Sequence, residues 1–160
     1  MLHLRSDSVA ATAAIAASLA GLARRGDLIV LAGEMGAGKT AFAKGFGEAI
    51  GVSEPITSPT YTLMHSYPAG RVTLHHADIY RLTTLHEIAD LAIGELLESD
   101  GIVMIEWGDV VAGSLGDHVL VRLEFDKADD DARDIMISPA GRAWAARWDE
   151  VGRRLAGFAC

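Results

Sequence analysis

Gly33-Glu34-Met35-Gly36-Ala37-Gly38-Lys39-Thr40 decides the reading of this chain. The stretch fits the phosphate-binding pattern G-x-x-x-x-G-K-[ST], with Gly33, Gly38, Lys39 and Thr40 at the fixed positions. Glycines let the backbone curl until several amide N–H groups point at one phosphate chain. Lys39 would place a point charge on the β- and γ-phosphates, and the Thr40 hydroxyl would hold Mg²⁺. A helix starting here adds its dipole and its free first-turn amides, as far as Ala41, to the anion site.

The flanks supply the context such a loop requires. Leu28-Ile29-Val30-Leu31-Ala32 comes just before it, a short apolar run that reads as a buried strand. Ala41 to Ile50 comes just after, with Ala41, Phe42, Phe46, Ala49 and Ile50 apolar at helical spacing, and Gly51 closes that helix. A glycine-rich turn with a surface lysine is the plain alternative; strand, loop and helix in this order weigh against it.

Further out, Val9 to Ala23 reads as an alanine-rich core helix capped by Ser6, Asp7 or Ser8. Ser53 to Pro59 is a loop. Tyr61 to Tyr67 and Arg71 to Ala77 form a hairpin around Pro68-Ala69-Gly70. Leu82 to Leu97 is mainly helical, with Thr83 or Thr84 as its cap. Ile102 to Ile105, Val119 to Phe125 and Ile135 to Ser138 read as strands, with the acidic loop Asp126–Asp134 between the last two. Ser138-Pro139 pairs a cap with a first-turn proline, which predicts a final helix from there to about Leu155. Strands alternate with helices, so the class is α/β. The expected architecture is a P-loop NTPase-like three-layer sandwich, with a mixed, largely parallel central sheet and an antiparallel hairpin. One domain is expected over residues 1–160. A nucleotide would lie outside the carboxyl ends of the central strands.

Composition narrows the partners. Half of the 160 residues are hydrophobic, enough for a sizeable core without disulfides. The one cysteine, Cys160, argues against a disulfide scaffold and fits a reducing compartment. No signal-peptide pattern opens the chain, and the alanine helix is too short for a membrane span. The expectation is a soluble, cytoplasmic protein that does not enter a membrane. A net charge of −8 argues against direct, unaided binding of RNA or DNA, but not against one nucleotide in a local pocket.

Two carboxylates complete the candidate chemistry. Ile102-Val103-Met104-Ile105-Glu106 is an apolar strand ending in an acid, which in P-loop proteins lies near Mg²⁺; Glu106 is the leading metal partner for Thr40. Trp107 follows, placed to stack by a nucleotide or simply to pack. In His76-Ala77-Asp78, the two polar side chains share one side of a continuing strand. An H-x-D pair can ligate a transition metal, yet one pair alone falls short of a zinc site. Asp78 fits better as the carboxylate near the γ-phosphate that orients water. The chain has no Asn and no Gln, so a Ras-like glutamine is excluded and a carboxylate must do that work. His76 reads as structural support. Thr57-Ser58-Pro59-Thr60-Tyr61 sits where switch loops lie, and reads equally as a hydroxyl-rich turn.

The ordered set G-E-M-G-A-G-K-T, S-P-T-Y-T, H-A-D-I-Y-R-L, E-I-A-D-L-A-I-G and I-E-W, between Val9 and Phe125, resembles the TsaE (YjeE) family. That family is the ATPase component of bacterial tRNA threonylcarbamoyladenosine synthesis. The resemblance implies ATP and Mg²⁺ as ligands and the TsaB–TsaD complex as partner, with tRNA met only indirectly. It implies phosphate binding by Gly36 to Thr40, Mg²⁺ on Thr40 and Glu106, and catalytic roles for Lys39, Asp78 and Glu106. Ser58-Pro59-Thr60 matches the family's switch-like loop. Thr12 lies where the family has a threonine near the adenine, and Trp107 matches a tryptophan near the nucleotide. The chain departs at Glu34-Met35, where Asp-Leu is frequent, and at Gly108, where Pro is frequent. Two other readings stand beside this one. A small-molecule P-loop kinase needs an acceptor pocket and an arginine-bearing lid, and the arginines cluster instead near the C-terminus. A non-hydrolysing nucleotide switch for GTP needs a base-reading Asn that the chain lacks.

Overall fold

The computed structural model describes residues 1–58, 64–79, 84, 86, 89, 91–99, 101–107 and 115–160. In chain order its elements are β1 (Leu2–Ser6), α1 (Val9–Ala20), β2 (Leu28–Ala32), α2 (Lys39–Ile50), β3 (Met64–Ala69) and β4 (Val72–Asp78). Then come α3 (Ile93–Glu98), β5 (Gly101–Glu106), β6 (His118–Phe125), β7 (Arg133–Ala140) and α4 (Trp148–Leu155). The strands make one sheet in the order β1-β7-β6-β2-β5-β4-β3. Its four central strands run parallel, from β6 through β2 and β5 to β4. The flanks are antiparallel: β3 on β4, and β7 between β6 and β1.

All five residues of β2 are buried, because the strand is covered on both faces. Ile29 and Leu31 join the core beneath α1, α2 and α4, with Ile15, Phe42 and Val151. Leu28 and Val30 join the opposite core, with Val103, Ile105 and Ile93 of α3. This is the expected three-layer α/β arrangement. Helix α1 is capped by Ser8, whose Oγ accepts from the Ala11 amide at 3.1 Å, and it stops at Ala20 rather than Ala23. Its alanines permit close packing on α2: a Cβ at Gly45 would come within 2.6 Å of the Ala13 backbone.

Other elements also differ from the sequence reading. Ser138 and Pro139 do not open a helix. Both lie in β7, opposite Leu120 and Val119, and the final helix starts at Trp148 after a 3₁₀ turn. Proline is tolerated there because β1 begins with Leu2 opposite Ile137, so by Pro139 the ladder needs no donor on that side. The expected hairpin turns at Gly70, with Ala69 paired to Val72, and Pro68 lies in the edge strand β3. Leu2–Ser6 forms a strand absent from the sequence reading, although Leu2-His3-Leu4-Arg5 alternates apolar and polar residues. Of the helix expected over Leu82–Leu97, residues 82, 83, 85, 87, 88 and 90 lie outside the described residues; within the rest, Ala92 is left-handed at φ +51°, so the chain does not run as one helix and α3 starts afresh at Ile93.

A buried ion pair fixes the C-terminal segment under the sheet. Arg147 meets Asp27 through two bonds of 2.7 Å and also donates to the carbonyls of Leu22 and Ala143. Asp27 accepts in addition from the Arg24 amide at 2.6 Å, and the guanidinium lies 4.0 Å over the Trp144 ring. Removing one member leaves the other charged and unpaired in a dry site. Asp27→Ala should therefore lower stability by about 3–5 kcal/mol in urea denaturation, and adding Arg147→Met should recover part of that loss.

In β4, burial lowers the His75 imidazole below its ordinary 6.5. The unfolded chain then binds the extra proton, so stability is full above 6.5 and declines as pH falls through 6.5 toward the folded value. The Nδ1 of His75 lies 2.7 Å from Ser66 Oγ. His75→Gln should flatten the fall of the urea midpoint between about pH 7.5 and about pH 5.5; an unchanged slope would count against the assignment.

Candidate functional site

Strand β2 ends where three parallel strands present their carboxyl edges. The chain leaves the sheet at Gly33, whose φ is +143°. A Cβ there would lie 2.3 Å from the Leu123 carbonyl oxygen of β6, so no larger residue passes. The Ala37 amide then closes a turn on the Glu34 carbonyl at 3.0 Å. Gly38, at φ +108°, is the left-handed residue from which α2 springs, and its carbonyl takes the first helical bond from Phe42. The N-cap residue of α2, Gly38, has no side chain with which to cap the first turn. The amides of Lys39, Thr40 and Ala41 are thus oriented for an anion, as in any uncapped helix start.

Lys39 is buried in the loop it serves. Its Nζ donates to the carbonyls of Gly33 at 2.6 Å and Glu34 at 2.9 Å, and lies 3.9 Å over the Trp107 ring. Trp107 owes that position to an uncommon backbone: its φ is +67°, and its amide donates to Leu31 at 2.7 Å. A left-handed non-glycine residue costs about 1–2 kcal/mol, which marks the end of β5 as a place where geometry outweighs ease. Glu34 and Met35 are exposed at the tip, and Gly36 lies between them and the buried Ala37.

The two expected carboxylates fall in one row. In the sheet register Leu31 of β2 faces Glu106 of β5, and Glu106 faces Asp78 of β4. Alternation puts both acids on the face that carries α2. Glu106 is nearly sealed, 3% exposed, and His76 Nε2 lies 3.1 Å from its Oε1. The other ring nitrogen of His76 has no hydrogen-bond partner among the described residues. His76 therefore supports Glu106, as an Nε2–H donor. No group of three or more His, Cys, Asp and Glu residues suited to a metal occurs among the described residues.

Thr12 sits on α1 against the loop. Its methyl group lies 4.0 Å from where a Cβ on Gly38 would stand, and its hydroxyl is 2.7 Å from Ser6 Oγ. Thr60, Pro59, Tyr80, Arg81 and Gly108 lie outside the described residues. Thr57 is held by its amide on the Tyr67 hydroxyl at 3.3 Å. Beside the loop is a cavity of about 530 Å³ between Gly33, Trp107 and the end of β6, from Arg122 to Phe125.

Sequence reasoning missed Arg133, at the start of β7. Its Nε donates to the Ala37 carbonyl at 3.2 Å, and its guanidinium lies 4.4 Å over the Phe125 ring. No motif announces it, because contact with the loop depends on the β6–β7 pairing. The Trp107 geometry makes a direct prediction. The Trp107 emission, taken as wild type minus Trp107→Phe, should change in Lys39→Met; an identical difference spectrum would mean that no ammonium rests on the ring.

The family model for "Threonylcarbamoyl adenosine biosynthesis protein TsaE" matches residues 6–135. The tRNA threonylcarbamoyladenosine biosynthesis protein TsaE of Bacillus subtilis is 34% identical over 142 residues, 89% of this chain and 88% of that protein. The protein of the same name from Streptomyces coelicolor is 39% identical, covering 79% of this chain and 89% of its own length. That from Treponema pallidum is 42% identical over 99 residues, 62% of this chain and 73% of its own. The crystal structure of YdiB from Bacillus subtilis superimposes with a TM-score of 0.78 at 29% identity, over 95% of this chain and 94% of that one.

Proposed function

The chain belongs to the TsaE family, and from that membership we propose that it is a P-loop ATPase that drives or resets the TsaB–TsaD complex. That complex would make N6-threonylcarbamoyladenosine beside the anticodon, so tRNA would be met through the partners. The observation that supports hydrolysis best is the row Leu31, Glu106, Asp78, which brings two acids to the edge from which the loop springs.

Each residue then has one task. The amides from Gly36 to Thr40, with Ala41, would bind the phosphate chain. Lys39 would exchange the Gly33 and Glu34 carbonyls for β- and γ-phosphate oxygens. The hydroxyl of Thr40 and the carboxylate of Glu106 are hard oxygen donors on one face of the sheet, which suits Mg²⁺. When bound, Mg²⁺ would neutralise charge on the phosphates. Asp78 would accept a hydrogen bond from the attacking water and hold it in line with the γ-phosphorus. Trp107 would wall the site, Thr12 would lie toward the base, and Thr60 would act as part of the switch-like loop Ser58-Pro59-Thr60. Among the described residues no helix is long and apolar enough to cross a membrane.

The deciding assay measures ATP turnover with and without reconstituted TsaB–TsaD and scores tRNA modification over several cycles. Turnover should be slow alone and should change with the partners. Lys39→Ala should lower it by about 10²-fold or more, and Asp78→Ala should lower turnover while ADP still binds. Unchanged turnover and modification in both variants would sink the proposal, and phosphate transfer to a metabolite instead of water would replace it with a kinase.

A further inference from the structure

We infer that Arg133 is a positioning residue of the phosphate loop, acting from behind it and adding a positive charge. The inference rests on reading Gly33–Thr40 as a nucleotide-phosphate site. Arg133 spends its donors on main-chain oxygens. Nε donates to Ala37 at 3.2 Å, and one terminal nitrogen donates to Asp130 and Ala132 at 2.7 Å each. The other terminal nitrogen reaches the Gly36 carbonyl at 3.5 Å. The planar group also rests on Phe125, its register partner across the hairpin. None of its hydrogen-bond partners is a carboxylate. Asp126 pairs with Arg5 and accepts from the amides of Ala128 and Asp129.

The consequence is geometric and electrostatic. A peptide unit whose carbonyl is held outward turns the neighbouring N–H inward. Binding the Ala37 carbonyl at the back of the loop therefore aims the Gly38 amide toward the phosphate side, while the contact with the Gly36 carbonyl braces the turn that the Ala37 amide closes on Glu34. Arginine suits this because its rigid fork meets several acceptors at once, whereas lysine offers a point charge without the fork. The charge itself raises the potential at an anion site already served by a helix start.

Arg133→Met and Arg133→Lys separate the two effects. ADP with Mg²⁺ is the probe, with Kd measured by calorimetry at low and at high salt. Backbone hydrogen exchange of residues 36–40 is measured without nucleotide. Arg133→Met should weaken ADP about tenfold, the loss expected from one charge-assisted hydrogen bond. Arg133→Lys should keep more of the affinity at low salt than at high salt. Exchange at the loop should quicken in both variants. ADP binding by Arg133→Met within about twofold of wild type, with unchanged exchange, overturns the inference. Should Arg133→Met not fold, Arg133→Lys decides: wild-type affinity and wild-type exchange overturn it, and faster exchange supports it. A wild-type chain that fails to bind ADP refutes the nucleotide reading instead, while the ligand-free exchange still reads the Arg133 tether separately.

Discussion

No side chain fits where β2 leaves the sheet, and the rest of the site follows from that restriction. The Leu123 carbonyl of β6 occupies the space that a Cβ at residue 33 would need. Only a glycine lets β2 run between β5 and β6 to its last residue and then turn sharply over its neighbour. The turn delivers Gly38 in a left-handed conformation at the head of α2, and the helix start faces the carboxyl edge of the sheet. Lys39, one residue on, folds back over the loop and onto Trp107, so the loop, the helix and the end of β5 are held by one ammonium group.

Parallel register does for the acids what the glycine does for the loop. Three neighbouring strands, β2, β5 and β4, place Leu31, Glu106 and Asp78 in one row. A carboxylate sealed from water needs a hydrogen-bond donor, and His76 supplies it from two residues before Asp78 on the same face. One strand thus carries both an acid of the row and the support for its neighbour. This is why His76-Ala77-Asp78 reads as a unit although its two polar residues have different tasks.

The flanks of the sheet explain how the site is kept rigid. On one side the β6–β7 hairpin stands behind the loop, with Arg133 and Phe125 at its stem. At the opposite pole, Asp27 and Arg147 bind the last helix to the start of β2. The C-terminus adds a bond from the Cys160 amide to His3 on β1. The C-terminal segment is thus tied both to the start of β2 and to the edge strand β1.

Much of this was legible because local chemistry dictates it. Five apolar residues in a row require cover on both faces, a glycine-lysine-threonine loop requires a strand before and a helix after, and apolar residues at helical spacing require α2. The α/β class, the loop and both acids followed from such rules. What the sequence left open were contacts between distant residues. Ser138-Pro139 carries a helix-start signal, yet antiparallel pairing with β6 outweighs it, because the sheet edge there asks no hydrogen bond of the proline. Arg133 looks like any surface arginine until that pairing brings it behind Ala37, 96 positions away. The Asp27–Arg147 pair spans 120 positions. Sequence by itself determined which chemistry this chain can carry, since residue type and short spacing set backbone freedom, charge and hydrogen-bonding capacity. Only the tertiary structure decided which distant side chains hold that chemistry in place, because such partners are chosen by strand register and packing rather than by neighbours along the chain.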